Sequence, residues 1–354
     1  MKIGLTFFPT VGPAEKPAPE YYDECLSLAE LADELGYHHV KTVEHYFFTY
    51  GGYSPDPVTF LAAVAARTTR IRVGTSAVIP AFTHPVKLAG KLAMLDNLSH
   101  GRLDVAFGRA FLPDEFEAFG VPLDESRERF DEGVAACKLL WTEENVRWRG
   151  RFHAFGPVTL LPRPFQRPHP PVYVTSARSL ESCAAAGRAG HRLQLVPGIL
   201  TVEQMQESLR VYRQAWSAAG HDPAGAGVHL GYPCYVAEEA EEAYRIGRHD
   251  DACNGRAIGA AVRSWGRVSS AAYPNYEKLA DATQRAGFDQ KLAENKILAG
   301  TPDDVVKQLV TVAEWFGDDV VISLNIHSGH LAKEAAARTL RLVAEHVTPS
   351  LPGA

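Results

Sequence analysis

The chain has 354 residues, 46% hydrophobic and 22% charged, a balance that excludes a disordered chain. Lys and Arg total 36 against 42 Asp and Glu, a formal net charge of −6. With no basic run, neither nucleic acid nor an anionic membrane surface is expected as a partner. No apolar run reaches the ~18 residues that span a bilayer. The opening MKIGLTFFPT reads as a buried first strand rather than a secretory signal. Five cysteines, at 25, 137, 183, 234 and 253, form no CxxC pair, which suits reduced thiols in the cytoplasm better than a disulfide framework.

Strand and helix patterns alternate along the chain. Lys2–Phe8 is the first predicted strand, and Tyr21–Leu35 the helix after it, with Gly36 as its stop. Val40–Val43 is a short strand, followed by the helix Pro57–Arg67, with Asp56 as N-cap and Pro57 at its first position. Ile71–Ile79 is rich in β-branched residues, a third strand, and His84–Leu98 a third helix. Leu103–Phe107 and Glu125–Trp141 continue the series. Residues 142–170 interrupt it with a hairpin around Arg149-Gly150-Arg151 and a proline-rich stretch. Val172–Thr175, the helix Ser179–Ala189, Leu193–Val196, the helix Val202–Ala219 and the strand Val228–Val236 resume it. Residues 238–300 form a second irregular block, helical with no strong strand. Thr301-Pro302-Asp303-Asp304 then starts a helix with a capping Thr and acids in its first turn. Val320–Asn325 and Leu331–His346 close the chain.

Eight strand–helix alternations imply parallel strands joined by crossover helices. An open doubly wound sheet competes with a closed barrel, but it usually carries a glycine-rich phosphate loop after the first strand. Here that strand runs into Phe8-Pro9-Thr10-Val11-Gly12-Pro13. A (β/α)8 TIM barrel over residues 1–350, with insertions at about 142–170 and 238–300, is the expected architecture. In such a barrel the strands' C-terminal ends carry the chemistry.

Four strand ends stand out. Glu44-His45-Tyr46-Phe47 places His45 past the second strand, where an imidazole can transfer a proton near neutral pH; from position alone a hydrogen-bonded loop histidine is the plainer reading. Gly74-Thr75-Ser76-Ala77-Val78 is small enough for a flat ring to approach its backbone, or for close helix packing. Arg109, after the fourth strand, needs a phosphate, a carboxylate ligand, or an ion pair with Asp114 or Glu115. Thr175-Ser176-Ala177-Arg178-Ser179-Leu180-Glu181-Ser182 leads from strand to helix N-terminus, an anion site in which Arg178, Ser179 and Ser182 add charge and hydroxyls; plain N-capping explains Ser179 but not Ser182. No HExxH, nucleophile elbow or Walker loop is present, so no metal is expected, and Cys253 has no evident activator. Phe47, Phe48, Tyr50, Tyr53, Phe111 and Trp265 are candidates to line an apolar pocket.

These segments resemble the bacterial luciferase-like flavin monooxygenases. The likeness is carried in order by Glu44–Phe47 with Tyr50–Pro57, Ile71–Val78, His84-Pro85-Val86, Asp96–Arg102, Pro171–Val174 with Ser179–Gly190, and Ala299–Pro302. It implies a barrel that binds reduced flavin at the strand C-termini. It implies that Arg109, Ser179 and Ser182, with backbone near Arg178, hold the flavin phosphate. It further implies a non-proline cis peptide at Ser76-Ala77 behind the isoalloxazine ring, and His45 as the catalytic histidine. FMN, as FMNH2 from a separate flavin reductase, is the implied cofactor, with oxygen adding to give a C4a-(hydro)peroxyflavin that attacks a small organic substrate. F420-dependent hydride transfer is the alternative, and a non-catalytic flavin-binding partner subunit a second. A homodimer through the helices after the second and third strands is also implied. Tyr46, Gly108 and Arg178 depart from luciferase itself, which argues against light emission and against an aliphatic aldehyde substrate. Residues 251–298 lie where the family carries a mobile active-site loop.

Overall fold

The computed structural model describes residues 1–176, 179–278 and 286–352; Arg178 lies outside the described residues. Strand β1 (Lys2–Phe7) leads into helix α1 (Ala18–Glu34), β2 (His39–Thr42) into α2 (Pro57–Arg67), and β3 (Arg72–Thr75) into α3 (Pro85–Leu98). After β4 (Leu103–Phe107) come the short α4 (Pro113–Ala118) and the long α5 (Ser126–Thr142), then the hairpin β5 (Val146–Arg149) and β6 (Ala154–Val158). β7 (Val172–Ser176), α6 (Leu180–Arg188), β8 (Arg192–Leu195), α7 (Val202–Ala218) and β9 (Val228–Val236) follow. The 22-residue α8 (Ala240–Ala261), α9 (Phe288–Ala293), β10 (Leu298–Gly300), α10 (Pro302–Phe316), β11 (Val321–Asn325) and α11 (Lys333–Leu342) complete the series.

Eight strands pair in parallel in the order β1, β2, β3, β4, β7, β8, β9, β11, and β11 returns to β1. The sheet is therefore a closed (β/α)8 barrel with no exposed edge among these strands. Local chemistry sets the helix starts and stops. The Asp56 side chain accepts from the Val58 and Thr59 amides. Thr301 and Asp304 form a reciprocal capping box. Gly36 ends α1 at φ +80°, a conformation that favours glycine.

Strand alternation sorts the side chains. Ile3, Leu5 and Phe7 point outward from β1; Phe7 meets Phe60 of α2 edge-on at 6.0 Å. Val40, Val73, Val105, Leu193, Leu230 and Ile322 belong to the same outer core, sealed by the helices. The inward set is polar instead: His39, Lys41, Asp104, Gln194, His229 and Ser323 are all buried.

Three expectations need correction. The third strand ends at Thr75 rather than Ile79, and beyond it the chain rejoins the sheet only as the single bridge Val78–Phe107. The 238–300 block does contain a strand, β10, in register with Cys234–Val236 of β9. The short helix α4 was not foreseen at all. Among the described residues no helix is long and apolar enough to cross a membrane.

Candidate flavin site at the barrel mouth

A cavity of about 470 Å³ opens at the C-terminal ends of the strands and reaches down to Thr6, Lys41, His229 and Ser323. Its floor is a stack of basic side chains that bond and stack on one another. Lys41 Nζ donates to His229 Nδ1 at 2.9 Å. The His229 ring stacks on His39 at 4.8 Å, and His39 Nε2 bonds Ser323 Oγ at 2.7 Å. Burial holds both imidazoles well below their ordinary range, so they are neutral. Burial likewise lowers Lys41 to about 7. Two glycines make the room: a Cβ on Gly4 would lie 2.3 Å from the His39 ring, and one on Gly74 2.8 Å from Lys41 Cγ. The nearest acid, Asp104, is tied up by Arg72 at 2.8 Å.

A second cavity, about 640 Å³, lies between α5 and α6 and is lined by Arg109, Arg127, Asp131 and Ser182; Thr175 lines both cavities. Arg109 makes no carboxylate pair among the described residues. One Nη2–H donates to the Ala272 carbonyl at 2.7 Å, the guanidinium lies 4.5 Å over the Tyr273 ring, and the buried Nε–H has no hydrogen-bond partner among the described residues. The ion pair with Asp114 or Glu115 is thus not formed. Arg127 donates to Ser182 Oγ at 3.5 Å. Burial pushes the Asp131 carboxyl up, and Arg127 and Arg109 pull it back. At the α6 N-terminus the Ser179 hydroxyl accepts from the Ser182 amide at 3.1 Å. Ser179 is therefore a capping residue, whereas Ser182 faces the arginines.

Ser76 lines the barrel cavity, and the Ser76-Ala77 peptide is cis. Ser76 donates to Gln194 Oε1 across the barrel at 3.0 Å. Ala77 packs with Ala106 and Tyr173, and a Cβ on Gly108 would come within 3.1 Å of it. The buried Thr175 Oγ1 and Asn325 Oδ1 have no hydrogen-bond partner among the described residues. A basic groove, a flat small-residue wall and unpaired polar atoms along one path fit a planar polar ligand with an anionic end, and so fit a flavin mononucleotide.

His45 sits one layer behind this path. Its Nδ1 bonds Glu115 Oε1 at 3.1 Å, and the same oxygen accepts from the Tyr46 amide at 2.8 Å. The imidazole lies 5.9 Å from Phe8, 5.2 Å from Tyr50 and 5.8 Å from Phe111. Phe8 and Tyr50 line the barrel cavity and His45 does not. Glu44 accepts from the Ile79 amide and the Tyr46 hydroxyl, and burial raises its carboxyl to about 7. Of the six aromatic candidates only Tyr50 lines the cavity. Phe47 is exposed, Tyr53 packs on Tyr21 and Tyr22, and Trp265 is buried against Tyr273 and Tyr276.

Sequence reasoning missed Lys41, His229, Arg127 and the role of Glu115. The polar alternation His39-Val40-Lys41 was the available signal for the first. For Arg127 no local signal exists, because it meets Ser182 only across the groove between α5 and α6.

Residues 1–319 match the luciferase-like monooxygenase family. The chain is 55% identical to monooxygenase RslO1 of Streptomyces bottropensis, whose crystal structure superposes with a TM-score of 0.88 over 99% of each chain. It is 28% identical to the FMNH(2)-dependent dimethylsulfone monooxygenase of Pseudomonas putida, covering 90% of this chain and 87% of that protein. It is 32% identical to the oxygenase component of the flavin-dependent trigonelline monooxygenase of Acinetobacter baylyi over 63% of this chain, and spans only 62% of that relative's length. With the barrel closed and the family match running over residues 1–319, the chain belongs to the luciferase-like monooxygenase family.

Proposed function

We propose that the protein is the oxygenase component of a two-component flavin-dependent monooxygenase. Residues 1–350 act as one catalytic unit that takes FMNH2 from a separate flavin reductase and uses O2 to oxygenate a small organic substrate. The observation that carries this reading is the junction of the arginine-lined groove with the barrel cavity at Thr175, beside the cis Ser76-Ala77 peptide. Arg109, Arg127 and Ser182, with the α6 N-terminus, would hold the phosphate; the amide dipoles there favour an anion. Ser76, Ala77 and Gly108 would back the ring. Bound FMNH2 supplies the oxygen activation, which no side chain of the protein can provide.

The protein's own part is orientation and proton control. With Glu115 accepting at Nδ1, the neutral His45 ring carries its lone pair on Nε2 and can take or return a proton there. Phe8 and Tyr50 stand between that imidazole and the cavity, so they exclude bulk water and a side-chain rotation admits the transfer. The polar floor at Lys41 and Ser323 suits a substrate or ring edge bearing an oxygen acceptor. A homodimer belongs to the same reading: Met94 and Leu98 on α3 are 53% and 50% exposed, apolar area that a second copy would cover.

Anaerobic titration of the protein with FMNH2 and, separately, with reduced F420 tests the reading. Saturable FMNH2 binding, followed by substrate-dependent oxygen consumption when air is admitted, supports it. Binding of reduced F420 alone would replace it with hydride transfer, and binding of neither with a non-catalytic subunit.

A further inference from the structure

Beside the cavity mouth, and apart from every residue assigned to the flavin, three metal-ligating side chains converge from two elements. His249 and Cys253 are four residues apart on α8 and so share one helix face. His330 comes from the segment after β11. One ligand atom from each lies within 4.8 Å of the others, and Cys253 Sγ is 3.7 Å from His249 Nε2. We propose that His249, Cys253 and His330 form a zinc site that ties α8 to the loops following β1 and β11.

Two features beyond proximity prepare these groups for a metal. The His330 Nε2–H donates to the Thr10 carbonyl at 3.1 Å. A carbonyl only accepts, so the neutral ring must carry its lone pair on Nδ1; a backbone carbonyl on the far nitrogen is the usual way a metal-binding imidazole is oriented. The Arg256 guanidinium donates to Cys253 Sγ at 3.0 Å and so fixes the position of the sulfur beside His249. Negative charge to offset the ion and Arg256 comes from Asp250 and Glu15, both within electrostatic reach of Cys253. Glu15 lines the same surface groove as His330, and it or a water takes the fourth position.

The donor set selects the metal. One thiolate and two imidazoles suit Zn2+ in tetrahedral coordination and repel the hard cations Mg2+ and Ca2+. The site also has a mechanical consequence. Asn254, Gly255 and Ile258 of α8 line the barrel cavity, while Thr10 and His330 belong to the loops at the ends of two paired strands. An ion bridging them fixes one wall of the cavity to the barrel rim.

The experiment uses the full, tag-free chain stripped with a chelator and titrated with Co2+, then with Zn2+. One equivalent of Co2+ per chain, with thiolate-to-cobalt charge-transfer and tetrahedral ligand-field bands that Zn2+ bleaches, is the expected result. Cys253→Ser removes the charge-transfer band. His249→Ala, at an exposed position, leaves the fold intact and weakens Co2+ binding at least ~10-fold. The melting temperature rises with Zn2+ in the wild type and not in Cys253→Ser. Absence of stoichiometric binding, or equal Co2+ affinity in the wild type and His249→Ala, overturns the site whether or not Cys253→Ser folds. None of these readouts depends on flavin binding.

Discussion

Replacing Arg109 by alanine isolates the phosphate end of the proposed flavin site. The guanidinium commits one Nη2–H to the Ala272 carbonyl and stacks on Tyr273, which leaves the buried, unpaired Nε–H and the remaining Nη protons for a ligand. A hydrogen bond to a charged group is worth about 1.5–3 kcal/mol, so its loss should raise the Kd for FMNH2 about 10- to 150-fold. Arg127, bonded to Ser182 in the same groove, keeps part of the field and sets the upper limit. The substitution also frees the segment around Tyr273, and a simple affinity loss would not separate the two effects. Reduced riboflavin separates them, because it has the ring and no phosphate. Fluorescence titration under anaerobic conditions should show a large loss for FMNH2 and almost none for reduced riboflavin in Arg109→Ala. An equal loss for both ligands, or none for either, refutes the phosphate role and leaves Arg109 as a structural cation over Tyr273.

His45→Ala should lower substrate oxygenation about 10²- to 10⁴-fold, the range for loss of a positioned acid–base group, while FMNH2 binding stays near that of the wild type; comparable losses in both would assign His45 to packing between Phe8, Tyr50 and Phe111. Glu44 gives a stability signature. Burial raises its carboxyl from 4.5 to about 7, so across that window the folded chain binds more protons than the unfolded one, and stability falls by about 3 kcal/mol as pH rises. Glu44→Gln should remove that slope in urea unfolding curves, and an unchanged slope rejects the assignment. Lys41 has the opposite sign. Burial lowers it from 10.5 to about 7, the unfolded chain binds more protons between those values, and stability rises with pH there by no more than about 5 kcal/mol. Lys41→Met should flatten the rise, although the lost donor to His229 costs about 1–3 kcal/mol at every pH; the slope, not the midpoint at one pH, is the measurement.

What could be read from the sequence was whatever depends on near neighbours in the chain. Asp56, Thr301 and Gly36 act within a few residues of themselves, and the helices they bound lie where their chemistry put them. The alternation of strands and crossover helices is equally local, and with the missing glycine-rich loop after β1 it favours a closed barrel over an open doubly wound sheet. Site geometry is different, because it depends on which ends meet. Arg109 and Glu115 are six residues apart, yet Glu115 turns on α4 to His45, 70 residues away, and Arg109 turns to Ala272. The inward set was hidden for another reason. His39 and Lys41 sit in a four-residue strand buried on both faces, where polar side chains are the exception, so their alternation with Val40 reads as a solvent-facing edge rather than as a polar barrel floor. The aromatic candidates failed because ring size predicts burial better than it predicts which face of a loop a ring occupies.

The inward polarity narrows the kind of ligand that the barrel can serve. Barrels of this class are ordinarily filled by layers of branched apolar side chains, and here Arg72, Asp104, Lys41 and three histidines take that space. Most of these groups satisfy one another, so the bottom of the barrel is stable without a ligand. Three of the nine buried polar atoms without a hydrogen-bond partner among the described residues, Arg109 Nε, Thr175 Oγ1 and Asn325 Oδ1, each costing about 1–3 kcal/mol when left unpaired, line the two cavities. Arg109 lines the groove between α5 and α6, Asn325 lines the barrel cavity, and Thr175 lines both. Two unrelated small ligands would offset the cost at the two ends but give no reason for the shared wall at Thr175. A single elongated ligand, anionic at one end and planar with polar edges at the other, would reach both cavities through their shared residue Thr175. That is the shape of a flavin mononucleotide, and it is why the proposed function rests on the junction of the two cavities rather than on His45.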